Sequence, residues 1–478
     1  MLLRLAGRLS WGAGQVAVAN GVAAFVMFVA SIIVVRLGGA SELGRFGLII
    51  ALGSVVGGIV DLGTDRVLTQ RVAEMSSGWT AAWRALIWLK GGGLSIAVLV
   101  ALLYFGVRGD AFEALLVLYA IGTSVWLTLQ GLASALHRLG RYTIFRIVSR
   151  VGGFVALAAA AAVGVRAHPA ALAVTSLFVW DIATACLLWF ALRAHLARLP
   201  SSPASRSASW LAFRQALPLG VSSLAVWLYV KLDTILLGLT TDLITLGAYT
   251  AAVRLAELLG GLSTALNAVL LPAFARLSVS EPENFRRARD ATITTVVFGV
   301  GLLSLVVFCF ADALLAVAFK LPASAPYLQI LVWGQIYAVA GVICAVDLQV
   351  RGRGRSIAEI TVLTSLISIP LYVVLIKIGG AVGAAVATLV SYALILPIGL
   401  GLRPSRTTFV PLLRASIVLM PAVAAGLGTF LYLGGFRGPR FAHALMAMLA
   451  YCVVVAIGGV LLVRSSGPRT VSAGVGAG

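Results

Sequence analysis

Residues 14–35 read GQVAVANGVAAFVMFVASIIVV, twenty-two positions without one charged side chain. As a helix this stretch reaches about 33 Å, enough to cross a hydrocarbon core about 30 Å thick. Arg4 and Arg8 precede it and Arg36 closes it. No small-residue cleavage site follows where a signal peptide would need one, so the segment is expected to be retained as a first membrane span.

The same pattern recurs to the end of the chain. Further apolar runs lie near 46–64, 85–106, 113–135, 146–165 and 170–192, and then near 215–239, 246–272, 291–311 and 325–348. Four more follow near 358–376, 379–401, 411–433 and 442–463. In lipid only helices and closed barrels satisfy the backbone, and these runs are continuous, not alternating. The expected fold is an all-α polytopic membrane protein with about fourteen spans by the length criterion.

Composition agrees. The 478 residues have a mean hydropathy of +1.05, with 61% hydrophobic and 11% charged side chains. A soluble domain carries about 25% charged residues, so an ordinary globular enzyme is excluded. Disorder is excluded because disordered chains are poor in the residues that dominate here.

The net charge of +20 is spread between apolar runs and not gathered in a patch, so it points to no nucleic-acid partner. Excess Lys and Arg instead mark cytoplasmic loops. The groups Arg138, Arg141, Arg146, Arg150 and Arg276, Arg286, Arg287, Arg289 dominate, and placing them inside puts both termini in the cytoplasm. Trp11, Trp79, Trp83 and Trp210 fall near span ends, as interfacial anchors do.

Cys186, Cys309, Cys344 and Cys452 sit within apolar runs without metal spacing, and His137, His168, His195 and His443 are scattered. They are expected to be small buried hydrophobes and unrelated imidazoles. The chain has no P-loop, nucleophile elbow or HExxH motif, so no cofactor and no ATP hydrolysis are expected.

A polar stretch, 193–214, divides the chain and suits a flexible cytoplasmic linker. Before it stands an N-terminal lobe of six spans (1–192); after it stands a second lobe of six (215–402). Two extra spans and a cytoplasmic tail complete the chain (403–478). Leu37-Gly38 and Leu43-Gly44 with Phe46 in the first half match Leu237-Gly238 and Leu246-Gly247 with Tyr249 in the second. Gly140-Arg141 likewise matches Gly354-Arg355. A six-span repeat keeps both copies in one orientation, so a pseudo-two-fold axis along the membrane normal is expected, with the substrate path between the halves.

These residues resemble a family. Leu43-Gly44-Arg45-Phe46-Gly47, Asp61-Leu62-Gly63, Leu246-Gly247-Ala248-Tyr249, Arg254-Leu255-Ala256-Glu257 and Leu271-Pro272 are similar to the polysaccharide transporter branch of the multidrug/oligosaccharidyl-lipid/polysaccharide (MOP) flippase superfamily. So are Arg353-Gly354-Arg355 and the run Gly379-Gly380-Ala381-Val382-Gly383-Ala384-Ala385. The resemblance implies a flippase for an undecaprenyl-diphosphate-linked oligosaccharide, such as an O-antigen or capsule repeat unit, in a bacterial inner membrane. It implies as partners that lipid-linked oligosaccharide, the membrane lipids, and the polymerase and glycosyltransferases acting on the same glycan.

A charge at mid-span costs roughly 2.5–3.5 kcal/mol, so each such residue needs a partner or a wet cavity. Asp61, Lys231, Asp233, Arg254 and Glu257 are the clearest cases. Arg254 and Lys231 are candidate contacts for a lipid diphosphate. Their alternatives are pairing of Arg254 with Glu257, and of Lys231 with Asp233. Asn20 and Gln15 offer hydrogen bonds to sugar hydroxyls, or to a neighbouring helix. Asp61, Asp233 and Glu257 are candidates for gating or ion coupling, with a bridge from Asp61 to Arg66 as the structural alternative. Asp181, Asp347 and Glu359 are weaker candidates, Glu359 being placed to pair with Arg355. Three other readings stay open: a peptidoglycan-precursor flippase, a cation-coupled multidrug antiporter, and a membrane polymerase or glycosyltransferase.

Overall fold

Lipid offers a backbone no hydrogen-bonding partner, so a chain this apolar must pair its amides within helices. The computed structural model describes residues 2–61, 63–74, 79–108, 112–165, 168–199, 205–434 and 440–465, and among them no strand occurs. The first part comprises α1 (Leu2–Asp61), α2 (Thr64–Ala73), α3 (Trp79–Arg108), α4 (Phe112–Ala135), α5 (Leu139–Ala162) and α6 (Pro169–Leu196). The second begins with α7 (Arg206–Thr240), α8 (Leu243–Ser280), α9 (Pro282–Cys309), α10 (Ala311–Phe319) and α11 (Ala325–Val350). It continues through α12 (Gly354–Ala393) and α13 (Ile395–Gly401) to α14 (Arg406–Tyr432) and α15 (Arg440–Ser465).

Eleven helical segments among the described residues are long and apolar enough to cross a membrane, fewer than the fourteen expected. Two of them, Gly14–Asp61 and Gly354–Gly401, run for 48 residues each, about twice what one crossing needs. Each breaks at a glycine in the left-handed region, Gly39 (φ 76°) and Gly380 (φ 53°). That conformation strains any residue with a Cβ, and here it joins two helices without a loop. The spans expected at 14–35 and 46–64 lie about the first break, and those at 358–376 and 379–401 about the second. The span expected at 85–106 lies on α3.

The stretch 193–214, expected as a flexible linker, is largely helix. Its first residues end α6 and Arg206–Arg214 open α7, where the Ser205 side chain accepts from the amide of Ala208. Residues 200–204 and the tail after Ser465 lie outside the described residues. The turn before α8 is capped by Asp242, whose carboxylate accepts from the amides of Ile244 and Thr245 at 3.2 Å and from the Thr245 hydroxyl at 2.6 Å. These donors hold that carboxyl below its ordinary value.

Three apolar clusters hold the helices together. One, including Val34, Leu43, Phe46, Leu246 and Tyr249, joins α1 to α8 and extends to α6, α11 and α12. A second packs α14 and α15 on α9 and α11, where the Tyr451 hydroxyl donates to the Phe298 carbonyl at 2.8 Å. The third binds α2 to α6 with the start of α7. Cys309 and Cys344 are buried as expected, whereas Cys186 and Cys452 are exposed on outward helix faces.

The two halves meet where the repeated Leu-Gly pairs stand. A Cβ on Gly44 would lie 2.2 Å from the Leu243 carbonyl oxygen, and one on Gly247 would lie 1.8 Å from that of Ala40. Only glycine allows backbones this close. Within the first half, Gly53 and Gly57 pack α1 against Leu116, Tyr119 and Ala120 of α4, the close approach expected of that pair.

Candidate functional site

Between α1, α4 and α5 on one side and α7 and α8 on the other lies a cavity of about 340 Å³. Its polar lining includes Asn20, Gln130, Arg146, Arg150, Lys231, Arg254 and Glu257, and its aromatic faces are Phe28, Tyr119, Trp126, Tyr142 and Trp227. The lining side chains project from long helices, those of α1 from both sides of its break at Gly39.

On the second-half wall, Lys231 donates to Glu257 Oε1 at 2.8 Å and Arg254 Nη1 donates to Glu257 Oε2 at 2.7 Å. Lys231 on α7 thus finds its carboxylate on α8 and not at Asp233, two residues away on its own helix. Two cations share one carboxylate, which leaves this wall with a net charge of +1. Arg254 is 8% exposed, and its Nε is buried without a hydrogen-bond partner.

The first-half wall repeats this arrangement with residues that sequence reasoning assigned to a cytoplasmic link. Arg146 and Arg150, one turn apart on α5, reach the two oxygens of Asp181 on α6 at 3.3 and 3.4 Å. The Ser149 hydroxyl also donates to Asp181 Oδ1. The Arg146 guanidinium lies over the Trp126 ring, 4.7 Å from its centroid, and the Tyr142 hydroxyl donates to Gln130 Oε1 at 3.1 Å. Again two cations share one carboxylate. A signal was available in the sequence: Asp181 sits deep in an apolar run and demands a cation from a neighbouring helix.

The other expected site residues lie away from this cavity. Gln15 packs beside Gly140, where α5 begins. Asp61 pairs with Lys90 and accepts from the Ser124 hydroxyl at 2.9 Å, so its cation comes from α3 and not from Arg66. Lys90 also donates to the Ser124 carbonyl and hydroxyl and to the Thr128 hydroxyl. Asp233, 5% exposed, accepts from the Thr234 amide at 2.6 Å and from the Tyr249 hydroxyl at 2.8 Å. Thr388 and Tyr372 extend that network to α12.

Away from the cavity, Asp347 is fully buried among Arg289 (3.4 Å), Arg351 (2.8 Å) and the Thr408 hydroxyl, tying α9, α11 and α14. Glu359 pairs with Arg355 at 2.8 Å on the surface, as its spacing predicts. No group of three or more metal-ligating side chains occurs among the described residues.

The long apolar helices and the polar cleft between them are those of a multi-pass helical membrane protein. A lipid II flippase, MurJ, in an inward closed conformation superimposes with a TM-score of 0.67, covering 94% of this chain and 98% of its own at 13% identity. An inward-facing multidrug-resistance MATE family transporter follows at 0.58, covering 84% and 95% at 13% identity. The Vibrio cholerae MATE transporter VcmN gives 0.51, covering 85% and 99% at 17% identity. At these identities the likeness is one of fold. No curated protein matches in sequence. The family model described as "Polysaccharide biosynthesis protein" matches residues 11–278, more than half of the chain, and the protein belongs to that family.

Proposed function

We propose that this protein is a flippase that moves a polyprenyl-diphosphate-linked oligosaccharide across a bacterial inner membrane by alternating access of its two halves. The observation that carries the reading is the second-half wall of the cavity. Lys231 and Arg254 are held in a cleft between apolar helices with one carboxylate between them, so an anion entering there meets uncompensated positive charge. The arginine fork matches phosphate oxygens, and the lysine adds a compact charge beside it. The polyprenyl tail stays in lipid while the diphosphate and sugars occupy the polar cleft. A potential negative inside adds about 2.3 kcal/mol per charge per 100 mV in favour of outward movement of the anion.

The finer assignments belong to the same proposal: fourteen crossings, both termini cytoplasmic, a pseudo-two-fold relating α1–α6 to α7–α13, and an O-antigen or capsule repeat unit as cargo. Glycosyltransferases and a polymerase are the partners this cargo would need. One alternative is a peptidoglycan-precursor flippase, since the lipid II flippase MurJ has a similar fold. A cation-coupled antiporter would instead need the cavity to present unpaired carboxylate, and both carboxylates at this cavity are engaged by arginine or lysine.

The test is flipping of a fluorescent polyprenyl-diphosphate disaccharide in proteoliposomes. Arg254→Ala is expected to slow it by about ten- to 100-fold, the range for loss of a charge-assisted hydrogen bond, with Arg254→Lys between. Full transport by folded Arg254→Ala removes Arg254 from the mechanism.

A further inference from the structure

The flippase reading uses only one of the two charged walls. The other, on α5 and α6, is built with equal care and has no task in it. Arg150 is 5% exposed and lines the cavity. Its Nη2 reaches Asp181 at 3.4 Å, while its Nε and Nη1 are buried with no hydrogen-bond partner. A guanidinium kept in such a place with donors unused is costly unless an anion arrives to take them.

Asp181 cannot supply what is missing. Its Oδ1 is already shared by Arg146 and Ser149, and its Oδ2 faces Arg150 alone. Two cations on one carboxylate leave this wall at +1, like the opposite wall, and the two walls stand on different halves of the chain. The cavity is therefore bipolar in construction and positive at both poles. A substrate with one anionic centre and neutral sugars satisfies only one of them.

We infer that the transported glycan carries an acidic sugar, whose carboxylate is taken by Arg150 and Arg146 while Lys231 and Arg254 hold the diphosphate. A carboxylate is planar and presents two oxygens, the geometry a guanidinium fork accepts in parallel. Arg146 is fixed for this by the Trp126 face beneath it. Gln130 and Asn20, both lining the same cavity, offer amides to the hydroxyls of the ring between the two charges. This inference rests on the flippase reading and narrows its substrate class.

The experiment compares two polyprenyl-diphosphate disaccharides identical except at the terminal sugar, one ending in glucose and one in glucuronate, in proteoliposomes of the intact protein. The glucuronate lipid is expected to move about tenfold faster, the worth of a charge-assisted hydrogen bond. Arg150→Gln is expected to bring the ratio of the two rates to about one, and Arg150→Lys to leave it between. Equal movement of both lipids by the unaltered protein overturns the inference while leaving the flippase reading in place. A ratio unchanged in folded Arg150→Gln also overturns it. Movement of neither lipid overturns the flippase reading, and this inference with it.

Discussion

Gly44 and Gly247 meet backbone to backbone: a methyl group on Gly44 would stand 2.9 Å from the amide nitrogen of Gly247. The two occupy equivalent places in the Leu-Gly motifs of the two halves. Equivalent residues meet only close to the axis that relates them, so this contact supports the proposed pseudo-two-fold. It also makes the α1–α8 crossing a closure that tolerates no added atom.

Gly247→Val is expected to separate that crossing. The obstructing atom is the Ala40 carbonyl oxygen, 1.8 Å from the new Cβ, and backbone cannot rotate away as a side chain can. Overpacking typically costs about 1–3 kcal/mol. A lower melting temperature in detergent and loss of flipping are expected together. An unchanged melting temperature with full transport would show that the working protein does not hold these helices at this distance.

The Asp61–Lys90 pair is expected to be structural. Both side chains are nearly buried, at 7% and 12% exposure, and join α1 to α3 across α4. Removing one partner of such a pair costs about 3–5 kcal/mol, whereas replacing both with apolar residues is often nearly neutral. Asp61→Asn should lower the melting temperature, and Asp61→Leu with Lys90→Met should recover most of it. If melting recovers in the double variant and flipping does not, Asp61 belongs to gating.

How much of this could be read beforehand differs by level. The helices were legible because lipid permits little else, and the seam was legible in the repeated Leu-Gly pairs. That the turns between spans 14–35 and 46–64 and between spans 358–376 and 379–401 are each made at one glycine of positive φ, Gly39 and Gly380, was not, because the sequence does not say which of the adjacent glycines bends. At the cavity, Arg254 and Glu257 were legible since three residues of helix place them together. Glu257 as the partner of Lys231 was not, because that choice is made by the packing of α7 on α8. Arg146 and Arg150 were hidden by their position: a cation near a span end looks the same in sequence whether it faces water or a cleft. Their role depends on Asp181, a contact across 31 to 35 positions of chain.

Asp347→Asn tests a different part of the molecule. The carboxylate is fully buried and serves Arg289, Arg351 and Thr408 at once. Neutralising it leaves Arg351 without its carboxylate and Arg289 with Asp290 alone, at 2.7 Å, and a destabilisation of about 3–5 kcal/mol is expected. Because the network lies outside the cavity lining, the selectivity between lipid substrates should be retained at temperatures where the variant stays folded. A changed selectivity would mean that α9 and α14 communicate with the cavity.

Glu257→Gln isolates the balance of charge on the second-half wall. With the carboxylate gone, Lys231 and Arg254 carry +2 together, and the amide keeps only one of the two oxygens they now donate to at 2.8 and 2.7 Å. Two unit charges 4 Å apart interact by about 4 kcal/mol at the dielectric of a protein surface, so a bound diphosphate should be held at least about tenfold more tightly. Tighter binding of the traveller in one state slows its release, since only differential affinity between states drives a conformational cycle. The expected result is therefore stronger binding of a polyprenyl diphosphate together with slower flipping. Both effects should shrink as salt is raised, because the Glu257 side chain is 37% exposed and the wall can be screened. Weaker binding in Glu257→Gln would mean that the carboxylate acts chiefly to position Arg254, and the wall would then have to be read as a scaffold for one arginine.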